Sequence, residues 1–292
     1  MERLGLGPAV CLERRPSLVY GRMTGWGQEG PRAQTAGHDL NYLSLTGVLA
    51  AIGPKEHSVP PLNLIGDYGG GAMFLLVGVL AAALAVRAGS AGQVVDAAMI
   101  DGVAVLASLV HGLIANGAWI EERQQNLLDG GAPFYRTYDT SDGEQMAVGA
   151  LEPQFYEALL EGLELSPADL PHQYDREKWP ELSAIIAQRF AQHSRADWTY
   201  RFDGTDACVS PVLRWSEADR DPHIGQRRLV LEIDGRRQAA PAPRFSGTPL
   251  DEPRGLIEAG SDTRSILVEL GYDENAIVML LANKVAAVPP SP

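Results

Sequence analysis

Residues 37–71 read GHDLNYLSLTGVLAAIGPKEHSVPPLNLIGDYGGG, and this stretch brings together the groups that proton transfer needs. His38 stands beside a carboxylate, Asp39, and a second carboxylate, Asp67, lies between an apolar run, Leu62–Ile65, and Gly69, Gly70 and Gly71. Residues 39–52 read as a helix: Asp39 is placed to cap its first turn, and Leu43, Leu45, Val48 and Leu49 form a buried face. His38 then sits at a helix N-terminus, where unpaired N–H groups and partial positive charge can hold an oxyanion. Asp67 opens a Gly-rich turn ahead of a second helix, exposed to whatever ligand the glycines let close to the backbone. Each residue also has a plainer reading, a lone histidine as a surface or core group and Asp before Gly as a turn former.

Working outward, residues 18–23 predict a strand that leads through the Gly-rich turn 25–30 into this stretch. Beyond it, residues 72–86 (AMFLLVGVLAAALAV) predict a buried helix, shorter than the roughly 20 residues a membrane span needs. A strand at 93–98 and an apolar helix from about Asp101 to Ala118 follow, with His111 on its apolar face as a core or interface residue. Alternation of strand and helix favours an α/β layer architecture. The loop 126–135 carries Asp129-Gly130-Gly131, which either forms a turn or directs backbone towards a ligand. Residues 134–140 and 145–150 predict a β-hairpin turning at Asp142-Gly143, and the second strand ends at Glu152, ahead of a helix that starts at Pro153.

Helices are expected at 154–163, 179–193 and 195–202, and a strand at 205–213 that buries Cys208. A short helix at 215–219, a hairpin around Asp234-Gly235, an extended Pro-rich segment at 241–249 and helices at 262–270 and 273–284 complete the chain. The expected organisation is a large α/β domain at 1–150, a small α+β domain at 151–238 and a C-terminal segment at 239–292 that returns to the large domain.

Composition narrows the function. A net charge of -13 argues against a nucleic-acid backbone or an anionic membrane as the main partner. Two cysteines, Cys11 and Cys208, are too few for a disulfide framework or a Cys-based zinc site and point to a reducing, cytoplasmic location. The six histidines show no close pair at metal-ligand spacing, and no G-x-S-x-G elbow marks a hydrolase. Neither a signal peptide at Met1–Leu4 nor a peroxisomal or prenylation signal at Val288–Pro292 is expected.

Residues 37–42 (GHDLNY), 60–71 (PPLNLIGDYGGG), 126–135 (NLLDGGAPFY) and 152–156 (EPQFY) closely resemble the racemase members of the family III CoA-transferase (CaiB/BaiF-like) superfamily, which act on α-methylacyl-CoA. The resemblance runs from about Met1 to about Ser246. It implies a CoA-transferase family III fold with an incomplete Rossmann-like part, since complete members carry several further βα units before the residues matching Met1. It also implies an interlocked homodimer and an acyl-CoA substrate.

By this resemblance His38 and Asp67 are the two bases that remove and return the α-proton on opposite faces of the substrate, and Glu152 is hydrogen-bonded to His38 and orients it. The N–H of Asp39 holds the enolate oxygen. Gly37, Tyr42, Asn63, Gly69, Gly70, Asp129 and Gly130 contribute to substrate binding. No cofactor is required, because CoA is part of the substrate. Two alternatives stand beside racemisation of 2-methylacyl-CoA: CoA transfer with Asp39 as nucleophile, and a non-catalytic chain acting as a dimerisation partner.

Overall fold

The computed structural model describes residues Met1–Pro289, so Pro290–Pro292, the end of the stretch where no peroxisomal or prenylation signal is expected, lie outside the described residues. Two compact units divide at Val212 and Leu213. In the first, β1 (Tyr20–Thr24) pairs in parallel with β2 (Val94–Ala98), in the register Tyr20 to Val94 through Thr24 to Ala98. Parallel neighbours cannot be joined by a tight turn, so the chain between them makes a long crossover. That crossover carries α2 (Asp39–Leu45), a π-helix (Leu64–Ala72) and α3 (Met73–Arg87); the first helix of the chain, α1, is Pro8–Arg14. After β2 come α4 (Met99–Leu106) and α5 (Ser108–Ala115), two helices where the sequence predicted one.

Helix α3 departs from expectation, because of its residues only Ala82 is buried, while Met73, Leu76, Val77, Leu80 and Leu84 are exposed. One side packs on the strands: Leu75 and Val79 lie against Gly21 of β1, and Gly78 lies against Val95 of β2. With the preceding π-helix it makes a helical run of 24 residues, long and apolar enough by length and composition to cross a membrane. The length argument against a span therefore fails. Packing supplies a different one for its first third, where Gly66, Gly70 and Gly71 are buried against protein.

Residues 126–212 build the main core. The antiparallel sheet β3 (Tyr135–Asp139), β4 (Gln145–Gly149) and β5 (Val209–Pro211) packs with α6 (Pro153–Gly162), α7 (Trp179–Phe190) and α8 (Arg195–Phe202). Phe134, Met146, Leu159, Leu182, Ile186, Phe190 and Trp198 are wholly or almost wholly buried there. This one cluster takes residues from both sides of position 150, so the limit expected at 150 does not coincide with a gap in packing. Nor is Cys208 buried: it is exposed, with φ of 51°, and β5 is too short to enclose it. The thiol is less acidic than usual, through desolvation first and then the Glu152 and Asp206 carboxylates.

Two phenols make this core sensitive to alkali. Burial pushes the Tyr156 hydroxyl up to about 12, and burial also raises Tyr138. A folded-state pKa above the unfolded value of about 10 means the native state holds the proton longer. Their contribution is therefore intact below pH about 10 and is lost as pH rises through the folded values. The Tyr156 hydroxyl has no partner among the described residues. Tyr156→Phe should therefore gain about 1 kcal/mol at pH 8 and flatten the alkaline loss, as read from urea denaturation at pH 8 and 11. A loss of stability at pH 8 would show that the hydroxyl is satisfied.

The second unit contains short helices α9 (Trp215–Ala218) and α10 (Pro222–Gln226), the hairpin β6 (Val230–Ile233) and β7 (Arg236–Ala239), and helices α11 (Thr263–Glu269) and α12 (Glu274–Ala282). The hairpin turns at Asp234-Gly235, both at positive φ, where the sequence placed it. The expected limit at 238 falls on β7, inside this unit.

Candidate active site

Helix α2 begins one residue earlier than a cap at Asp39 requires. His38 is the N-cap, in extended conformation, and its N–H donates to Asn41 Oδ1 at 3.0 Å. The helix is also shorter than expected. Thr46 turns its hydroxyl back onto the Tyr42 and Leu43 carbonyls, Gly47 takes φ of 82°, and only a 3-10 turn at Val48–Ala51 follows. Leu43 is buried, but Leu45 is exposed and Val48 and Leu49 are half-buried. The His38 side of the helix opens to solvent.

Asp39 points the other way. It is 4% exposed, and its Oδ2 accepts from Gly66 N at 2.7 Å and Asp67 N at 2.9 Å. Its carboxylate thus serves the distant π-helix instead of capping α2. Gly66 permits this approach, since a Cβ there would stand 2.9 Å from Asp39 Cγ and Oδ2.

The π-helix replaces the expected Gly-rich turn around Asp67. Widened turns of this kind occur often at functional sites, where the extra residue redirects side chains. Asp67 is half-buried, and its Oδ2 accepts from Asn63 Nδ2 at 3.3 Å. Gly69 is half-buried and Gly70 buried, and neither has room for a side chain. A Cβ at Gly69 would touch Leu106 Cδ1 and the Leu64 carbonyl, and one at Gly70 would lie 2.8 Å from Val103 N and 3.0 Å from Met99 O. These glycines let α4 press against the π-helix, with Gly102 directly on Gly70.

Tyr42 is buried beneath the same corner. Its hydroxyl is less acidic than usual because of burial first and then the nearby Asp67 and Asp39 charges. It meets Trp26 edge-on, with ring centroids 4.8 Å apart, and Gly25 has no room for a side chain against its ring and hydroxyl. Trp26, which the sequence reading missed, also underlies Gly37, where a Cβ would approach its ring to 2.8 Å. The only local signal was a tryptophan inside the turn Gly25–Gly27. Tyr42 and Gly37 thus both pack on Trp26.

Arg123 was also missed. Its guanidinium donates to the carbonyls of Ala50, Pro54 and Lys55, tying down the loop between α2 and the π-helix. Nothing in the sequence around Arg123 singles it out. In the loop that follows, the Asp129 carboxylate accepts from Gln125 N, Asn126 N, Asn126 Nδ2 and Gly131 N. Gly130 supplies the positive φ of 84°. Asp129 and Gly130 thus build the turn itself.

His38, Asp39, Tyr42, Asn63 and Asp67 gather at one corner of the first unit. Glu152 is the exposed N-cap of α6, and its carbonyl accepts from Phe155 and Tyr156 N. Among the described residues, no hydrogen bond or ion pair joins Glu152 to His38.

The sequence profile of CoA-transferase family III matches residues 1–263. An alpha-methylacyl-CoA racemase of Mus musculus is 43% identical over 98% of this chain and 76% of its own length. One of Homo sapiens is 41% identical over 98% of this chain and 75% of its length. The crystal structure of a CAIB/BAIF family protein from Brucella suis superposes with a TM-score of 0.74, covering 92% of this chain and 72% of that one. At 20% identity it supports the fold alone. The mixed α/β architecture, the matched profile and these relatives together establish that the chain belongs to CoA-transferase family III.

Proposed function

We propose that this protein is an isomerase that interconverts the (R) and (S) forms of 2-methylacyl-CoA thioesters by two-base proton transfer through an enolate. The observation that carries the reading is the joint between the two candidate bases: His38 caps the helix that begins with Asp39, and the Asp39 carboxylate holds the N–H of Asp67. One base removes the α-proton while the other, across the carbon, returns one. The thioester makes that proton acidic enough once the enolate oxygen meets the N–H of Asp39. Similarity to the alpha-methylacyl-CoA racemases supports the substrate class.

Glu152 orients the His38 imidazole in this scheme, through a contact that a single chain does not make and that assembly has to supply. A homodimer is the assembly we propose, supported by the apolar residues left open along α3. A reducing, cytoplasmic compartment suits the two free cysteines. CoA transfer through Asp39 fits less well, because a nucleophile must reach the acyl carbon, and this carboxylate is buried with Oδ2 engaged by two N–H groups.

Incubation of either enantiomer of a 2-methylacyl-CoA in D₂O tests the reading. Deuterium at the α-carbon together with loss of optical purity, followed by mass spectrometry, is the expected result. Acyl transfer to a second carboxylic acid without α-deuteration would replace this reading with the transferase.

A further inference from the structure

We infer that the side chain of Asp39 is a positioning residue that sets the place of Asp67 relative to His38. The inference rests on the two-base reading above. Asp39 is joined covalently to His38 and, through Oδ2, to the backbone N–H groups of Gly66 and Asp67, 27 and 28 residues away. It is thus a direct connection between the elements that carry the two bases.

Three features mark this contact as built for that purpose. Both hydrogen bonds are short and charge-assisted, 2.7 and 2.9 Å, which makes them stronger than bonds to a neutral acceptor. Gly66 leaves the space the carboxylate fills, so the residue that receives the latch is matched to it. The third feature is a cost. Asp39 Oδ1 is buried without a partner among the described residues, and an unpaired carboxylate oxygen away from water is unfavourable. A neutral acceptor would hold two N–H groups without burying a charge.

A shift of about 1 Å in a reacting group can cost about 10²-fold in rate. Tyr42 and Leu43 anchor α2 in the interior and Gly70 seats the later part of the π-helix on α4, whereas Gly66 rests on Asp39, so loss of the latch displaces the start of the π-helix, which carries Asp67, and leaves His38 in place. The defect should then fall on one face of the substrate. Exchange of each enantiomer in D₂O is assigned to its base with His38→Ala and Asp67→Ala. Asp39→Ala should then lower exchange of the Asp67-dependent enantiomer about 10²-fold, in kcat more than in KM. Exchange of the other enantiomer should fall only a few-fold, and Asp39→Asn, which keeps an acceptor oxygen, should recover most of the lost rate.

The backbone gives a readout independent of turnover. In amide NMR spectra the Gly66 and Asp67 N–H protons should lie at low field in the parent, move upfield in Asp39→Asn, and lose protection from exchange in Asp39→Ala. Equal loss on both faces would reduce Asp39 to a general structural role and overturn the inference, as would no loss on either face. If Asp39→Ala does not fold, Asp39→Asn still decides, because unchanged Gly66 and Asp67 resonances in that variant overturn the latch. If Asp67→Ala leaves both enantiomers exchanging at parent rates, the two-base reading fails, while the amide resonances still judge the latch.

Discussion

Replacement of either base is expected to remove racemisation while sparing part of the exchange. His38→Ala should abolish interconversion of the enantiomers and leave Asp67-dependent deuteration of one of them. Asp67→Ala should leave the reverse pattern. A positioned general acid or base contributes typically about 10²- to 10⁴-fold, so each affected face should lose rate in that range. The half-buried position of Asp67 and the exposed position of His38 leave both side chains accessible from outside α2 and the π-helix. Glu152→Gln should weaken mainly the His38 face, by disturbing the orientation of the imidazole. Chiral analysis together with deuterium content, starting from each pure enantiomer, separates these outcomes. Full activity of both alanine variants with both enantiomers would show that the two-base assignment is wrong.

The second large effect is on stability. Gly102→Ala places a methyl group where α4 meets the backbone of Gly70. Two opposing terms decide the sign. Helix propensity favours alanine over glycine by about 1 kcal/mol in a helix interior. Overpacking a close contact costs about 1–3 kcal/mol, and here the neighbour is main chain, which cannot rotate away as a side chain can. The clash should win at the upper end of that range, for a net loss of about 2 kcal/mol. Gly70→Ala, with Val103 N and Met99 O at 2.8 and 3.0 Å from its Cβ, should behave alike. Urea denaturation with an unchanged m value would report the loss as stability alone. Stabilisation of both variants would mean the helices sit farther apart than described. Either substitution also pushes on the element that holds Asp67, so activity should fall in the folded variant as well.

Legibility in the sequence followed the range of the interactions. The strand preceding residue 25, the hairpin at Asp142-Gly143, the helices at 153–162, 179–190 and 195–202 and the hairpin at Asp234-Gly235 were all readable. Each depends on local terms: residue periodicity, positive φ at a turn, or a proline in the first turn. The family resemblance likewise singled out His38 and Asp67 as candidates, because its pattern is written in consecutive residues.

The remaining features depended on what lies across space. Asp39 reads as a helix cap from its neighbours, yet its Oδ2 accepts from the N–H groups of Gly66 and Asp67. Gly69 and Gly70 read as a turn, and their contact with α4 was not legible, since the reason for a missing side chain can be a helix far along the chain. Residues 72–86 read as buried because hydrophobicity records a preference for being covered. Which faces of α3 this chain covers is set by the strands and helices beside it, and they cover little. From its sequence alone the protein was fixed as a mixed α/β chain of a known family with a candidate pair of bases. The tertiary structure decided that Asp39 joins those bases, because two short hydrogen bonds across 27 and 28 residues leave no mark in local pattern or propensity.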